Sequence, residues 1–231
     1  AWLPETHPRG ARVSLAPGRL LRDYAAIFVN PRFQRLAAAA AFNFAALFLF
    51  IASAPAFVLD LMKLGERQFG WFFIPMISGM MLGSYVSGRA AGRISGTRLA
   101  NIGFACCGVA VAANVLYGVL VDVPSVPWAI LPVMLDSFGI ALVFPIVTLA
   151  ILDMYPRQRG SASSLQAFTG LVLNAVVAGV LSPLVSHSLL ALALMAACFT
   201  LLGWLFWFWE ARRVRRAECP KSPVLEPGEQ L

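Results

Sequence analysis

Pro127-Trp128-Ala129-Ile130-Leu131-Pro132-Val133-Met134-Leu135-Asp136-Ser137-Phe138-Gly139-Ile140-Ala141-Leu142-Val143-Phe144-Pro145, continuing apolar to Leu152, is the stretch that decides the fold. About 20 residues at a rise of about 1.5 Å cross the roughly 30 Å hydrocarbon core of a bilayer, so 127–152 reads as a transmembrane helix. One carboxylate interrupts it. Asp136 lies nine residues after Pro127, about 13 Å in, which places it near the midplane. A charge at that depth costs about 2.5–3.5 kcal/mol on insertion scales and turns toward protein or a wet cavity. The helix therefore needs neighbours.

The rest of the chain supplies them. Of its 231 residues 59% are hydrophobic and only 13% charged, with mean hydropathy +0.76; soluble domains carry about 25% charged residues, so this is an integral membrane protein. Apolar runs place six spans at 36–58, 69–91, 99–121, 127–152, 161–185 and 188–209. The organisation expected is a cytoplasmic loop at 1–35, a six-helix transmembrane bundle at 36–210 and a basic, disordered cytoplasmic tail at 211–231. Within the loop, Leu20, Leu21, Tyr24, Ile27 and Phe28 share one face of an amphipathic helix over 18–29, which Asn30-Pro31 ends. Such a helix lies on the membrane surface or packs under the bundle.

The net charge of +7 does not point to nucleic acid, because the cations sit in short loops. Sixteen of the eighteen Lys and Arg fall on one side of this topology, and only Lys63 and Arg67 on the other. The positive-inside rule makes that side cytoplasmic, and with it both termini. An even number of spans demands the same. After the last span Trp204, Phe206, Trp207, Phe208 and Trp209 run into Arg212, Arg213, Arg215 and Arg216, an interfacial aromatic belt backed by a basic anchor, or alternatively a lipid-specific site. Cys106, Cys107, Cys198 and Cys219 have no metal-ligand spacing and read as reduced filler. The chain opens without Met, in Ala1-Trp2-Leu3-Pro4, as the tail of a preceding apolar segment would. Its two histidines, His7 and His187, sit in loops on opposite sides, and no P-loop is present. Hydrolase, metalloenzyme and ATP-driven classes are therefore set aside, and no metal or cofactor is expected.

A weak internal echo runs through the chain. Leu59-Asp60 and Arg67-Gln68-Phe69-Gly70 reappear as Leu152-Asp153 and Arg157-Gln158-Arg159-Gly160, displaced by 93 and 90 residues. Three helices followed by an equivalent three of opposite orientation is the inverted repeat of transporter bundles.

Several of these words resemble a known family. Leu3-Pro4-Glu5-Thr6 with the basic linker and Asn30-Pro31-Arg32-Phe33 resembles the central cytoplasmic loop of the drug:proton antiporters of the major facilitator superfamily. Ser53-Ala54-Pro55-Ala56-Phe57-Val58 and Phe69-Gly70-Trp71-Phe72-Phe73 resemble the seventh and eighth helices of its bicyclomycin/chloramphenicol-resistance subfamily. Gly88-Arg89-Ala90-Ala91-Gly92-Arg93 resembles the superfamily's degenerate second Gly-Arg loop, and Gly160-Ser161-Ala162-Ser163-Ser164 the start of the eleventh helix. The resemblance implies that the six spans are the C-terminal half, a 3+3 inverted repeat, of a twelve-helix fold. It further implies proton-driven export of small hydrophobic or cationic compounds from a bacterial inner membrane, with an N-terminal six-helix half as partner. The superfamily's main coupling carboxylates and its antiporter motif belong to that other half, and Asp136 is not one of its hallmarks. Alternatives are a metabolite carrier of the same superfamily and a half-length assembly subunit.

Site candidates follow from the residues. Asp136 on an otherwise apolar wall suits a cavity that takes greasy compounds and a proton, or else a structural hydrogen bond between helices. Ile140 shares its face. Asn43 and Phe50, on one face of the first span, would orient an amphipathic drug, although an interhelical hydrogen bond is an equal use for Asn43. Arg89 and Arg93 would pair with Asp153 or a helix C-terminus and latch one conformation. Asn114, Gln166, Asn174 and His187 are weaker candidates.

Overall fold

The computed structural model describes residues 17–121 and 124–218, and every regular element among them is a helix. They are α1 (Pro17–Val29), α2 (Pro31–Ala52), α3 (Gly70–Ala90), α4 (Gly96–Leu120), α5 (Leu131–Met154), α6 (Arg159–Val185) and α7 (Leu189–Glu218). The six helices α2 to α7 are each long and apolar enough to cross a membrane.

Three helix ends differ from the apolar runs, for physical reasons. Helix α2 starts at Pro31 rather than 36. Asn30 caps it, its side-chain oxygen accepting the Arg32 N–H at 2.9 Å, and proline fills a first-turn position that needs no donor. Helix α5 starts at Leu131 rather than 127, because residues 126–130 form a turn. Asp136 consequently lies five residues, about 8 Å, inside the helix, nearer the arginine-poor end than the expected midplane. Helix α7 continues to Glu218, so the first eight residues of the expected disordered tail are helical. Residues 219–231 and 1–16 lie outside the described residues.

Burying apolar surface gives little drive for helix association in lipid, so close packing must supply it. Glycines do so here. A Cβ on Gly83 of α3 would stand 2.5 Å from the Phe138 carbonyl of α5, and one on Gly139 of α5 would stand 2.6 Å from the Gly103 carbonyl of α4. Gly203 brings α7 similarly close to the backbone of α2 at Asn43. Helix α5 packs most extensively on α4, and α2 on α7, while α3 flanks α5 and α6 flanks α2. Exchanging α2–α4 for α5–α7 maps these four contacts onto one another, as a 3+3 arrangement requires. The matched words fit this exchange, since Arg67-Gln68-Phe69-Gly70 leads into α3 and Arg157-Gln158-Arg159-Gly160 into α6.

The arginine-rich end is held by polar ties. Helix α1 packs under the bundle, with Ile27 buried and the Tyr24 hydroxyl 3.0 Å from that of Ser164. The Asn30 amide donates to the Tyr155 hydroxyl at 2.8 Å. Glu210 of α7 is buried and ion-paired to both Arg32 and Arg35 at 2.8 Å. Trp207 is buried rather than interfacial, and its indole N–H donates to Asn101 of α4 at 2.8 Å. Beside it Phe206 stacks on Phe42 at 5.9 Å, while Arg212 lies 4.1 Å over the Phe208 ring and Arg213 5.6 Å over that of Trp209.

At the opposite end two helices loosen together. Past Ala52 the chain turns through Ser53 and Pro55 into a π-helical segment, Ala56–Leu61, and α6 contains another, Val177–Leu181, just before Pro183. The buried hydroxyls of Ser53 and Ser182 meet at 2.7 Å where these irregular stretches face each other.

Candidate functional site

Two grooves share the aromatic pair Phe44 and Phe144, whose ring centroids are 6.3 Å apart. The larger, about 400 Å³, runs between α2, α5 and α6, and the smaller, about 180 Å³, between α2, α3 and α5. Phe144 stands 13 residues from the start of α5 and 10 from its end, roughly 20 and 15 Å respectively, so the pair lies at mid-height. That is the level at which transporter bundles bind their cargo.

Helix periodicity builds the larger groove. Helix α2 contributes Ala40, Ala41 and Phe44, where small side chains leave the space that the aromatic ring borders. Helix α6 contributes Ser163, Gln166, Gly170 and Asn174, all on one face by spacings of three, four and four. Phe144 and Thr148 of α5 form the far wall, one turn apart. The Gln166 amide nitrogen donates to the Thr148 hydroxyl at 2.9 Å, which leaves its carbonyl oxygen without a partner. The Asn174 side-chain oxygen has none either. No charged side chain lines the groove. Helix α6 also has the least of its apolar stretch buried, 11% against 61% for α2, so this wall is available to something beyond the six helices.

A cleft of about 370 Å³ at the arginine-rich end is more polar, but the Glu210 carboxylate and its two arginines already satisfy one another there. A groove at the other end, bordered by Tyr117, Trp128 and Leu135, is almost wholly apolar.

The residues singled out in the sequence distribute unevenly over this geometry. Ile140 is buried and lines the smaller groove. Asp136 is one turn from it on the same helix, fully enclosed and outside both grooves, with one carboxylate oxygen unpartnered. Its backbone carbonyl accepts a long contact, 3.7 Å, from the Cys107 thiol of α4. Asn43 is buried where α2 meets Gly203 of α7, so it sits on the side of α2 away from the groove. Phe50 is a core residue, its ring edge-on to that of Phe57 at 5.8 Å. The expected pairing of Arg89 or Arg93 with Asp153 does not form: Asp153 meets Arg159 at 3.5 Å, the nearer cation on the adjoining helix. Arg89 ends α3 and lies 5.2 Å over the Tyr85 ring. Gln166 and Asn174, ranked below Asp136 and Asn43 from sequence, are the polar groups that the fold brings to the groove. The polar and small face of α6 at 163, 166, 170 and 174 was the signal that marked them.

Comparison with known proteins agrees with this architecture. A family model described as Major Facilitator Superfamily matches residues 1–178. The chain is 22% identical over 227 residues to a "Bicyclomycin resistance protein homolog" of Haemophilus influenzae, covering 92% of this chain and 53% of that protein. It is 26% identical over 166 residues to "Multidrug resistance protein MdtM" of Salmonella typhimurium, covering 70% of this chain and 39% of the relative. The protein of that name from Escherichia coli is 25% identical over 164 residues, with the same coverage. The chain thus spans about half the length, or less, of these curated relatives.

Proposed function

Since the chain belongs to the major facilitator superfamily, a family of membrane transporters and not of enzymes, we propose that it is the C-terminal half of a proton-coupled exporter. Its cargo is small, mainly hydrophobic compounds, moved by alternating access across a bacterial inner membrane. In this reading an N-terminal six-helix half closes the wall formed by α2, α5 and α6, and the two halves rock about the mid-height groove. The arginine-rich end faces the cytoplasm, by the sixteen-to-two distribution of cations. The observation that carries the proposal is the larger groove itself: aromatic, uncharged, equipped with two amides and placed on the least buried helix. Relatives named for bicyclomycin and multidrug resistance support a drug-like cargo.

Asp136 is the proposed proton carrier of this half. It is an enclosed carboxyl group one turn from Ile140, which borders the smaller groove, and no ion pair neutralises it among the described residues. Protonation there would be felt through α5, which also carries Phe144. The test is substrate-induced proton movement in proteoliposomes holding the full-length transporter, with and without Asp136→Asn. Drug addition is expected to dissipate an imposed pH gradient with the natural protein. With the variant that signal is expected to vanish while drug binding persists. An unchanged signal in the variant assigns Asp136 a structural role, and no proton movement with either protein overturns the exporter reading.

A further inference from the structure

We propose that Gln166 and Asn174 make the larger groove a reader of hydrogen-bond donors, so that it favours compounds bearing N–H or O–H groups over equally greasy, equally charged compounds that lack them. This rests on the groove being the substrate site.

Three observations carry it. The groove wall has no charged lining residue, so what this half contributes to selectivity is shape and neutral polar groups. Gln166 is only 7% exposed, and its amide nitrogen donates to the Thr148 hydroxyl at 2.9 Å while its carbonyl oxygen is unpartnered. An amide oxygen is an acceptor only, with two lone pairs, so what it lacks is a donor. The Asn174 side-chain oxygen, on a half-buried residue, is likewise without a partner, eight residues along the same helix face and about 12 Å away. Between them Gly170 opens the wall: a Cβ added there meets nothing within 4 Å. The site is therefore an apolar slot with an acceptor near each end and room for a planar ring system between. A cargo donor satisfies a buried oxygen that is otherwise left without a partner, whereas a donor-free cargo leaves it so.

Thionine and methylene blue form a test pair matched in charge and ring system, with methylene blue the greasier by four methyl groups, so that tighter thionine binding cannot come from apolar burial. Both are planar phenothiazinium cations of the same charge, but thionine carries two primary amino groups and methylene blue has every N–H replaced by methyl. Equilibrium binding of each dye to the purified full-length transporter would be followed by fluorescence polarisation. Thionine is expected to bind the natural protein more tightly. Gln166→Leu and Asn174→Leu should each weaken thionine about tenfold, and leave methylene blue within twofold, which also shows that the variants are folded. Gly170→Leu, whose Cβ has open space and whose side chain extends into the slot, should weaken both dyes. If Gly170→Leu acts on both dyes but Gln166→Leu and Asn174→Leu spare thionine, or weaken methylene blue equally, donor reading is overturned and the groove survives as the site. If Gly170→Leu leaves both dyes unaffected, the groove is not the site and both readings fall.

Discussion

Among single residues, Glu210 shows most clearly what a buried charge demands. It is 4% exposed at the end of α7 and is held by Arg32, which is half exposed, and by Arg35, which is nearly enclosed. Stripping one partner from a buried pair leaves an uncompensated charge and costs about 3–5 kcal/mol, while an exposed partner is worth about 0–1 kcal/mol. Glu210→Ala should therefore be the most destabilising of the three truncations, since it strands Arg35. Arg35→Ala should follow, and Arg32→Ala should lower stability by no more than about 1 kcal/mol. Thermal unfolding of the purified transporter in detergent would read the order, and an Arg32→Ala loss equal to that of Glu210→Ala would contradict it. None of this was legible in the sequence, where Glu210 is one acid between Trp209 and a run of arginines and its partner Arg35 is 175 residues distant. Asp136 was legible, because a lone carboxylate in an apolar run is conspicuous by its insertion cost. Its depth was not, because Pro127 to Ile130 are as apolar as the helix they precede.

Whole helices tell the same story of ends against middles. All six spans were legible from apolar length, because few other structures need more than twenty such residues. Their ends were misread where a cap or a turn, rather than a change in hydropathy, sets the boundary, as at Asn30 and Leu131. The irregular turns after α2 and within α6 were not visible: neither π-helical segment nor the tie between Ser53 and Ser182 leaves a mark in the apolar pattern. π-Helical turns concentrate at functional positions, and here two of them face each other across one hydrogen bond. Interhelical hydrogen bonds in membranes are worth about 0.6 kcal/mol on average and up to about 1.7 kcal/mol. Ser53→Ala and Ser182→Ala should each cost about that much, and the double variant should cost less than the sum, since both remove the same bond. Additive losses in thermal unfolding would show that the two hydroxyls do not act as a pair.

Across the molecule as a whole, the even number of spans was legible, but which wall would meet lipid and which the proposed other half was not. Lipid-facing and groove-facing surfaces are both apolar, so hydropathy cannot separate them, and only the polar stripe of α6 distinguishes one from the other. The proposed assembly separates them by water. Leu171, on the groove wall, is 68% exposed in the six-helix unit, while Val109 of α4 and Leu201 of α7 are each 61% exposed. In that proposed assembly the first would face a cavity that opens to solvent during each cycle, and the other two would face acyl chains. In a cysteine-free background, Leu171→Cys and Ser163→Cys should therefore react with a membrane-impermeant charged maleimide applied to inside-out vesicles. Val109→Cys and Leu201→Cys should stay unlabelled until detergent is added. Excess transported drug should slow the reaction at Leu171→Cys, because the cargo occupies the same wall. Labelling of Val109→Cys at the rate of Leu171→Cys would mean that near-equal exposure in the six-helix unit reflects equal access to water, and the α2, α5 and α6 wall would lose its claim to be the interface.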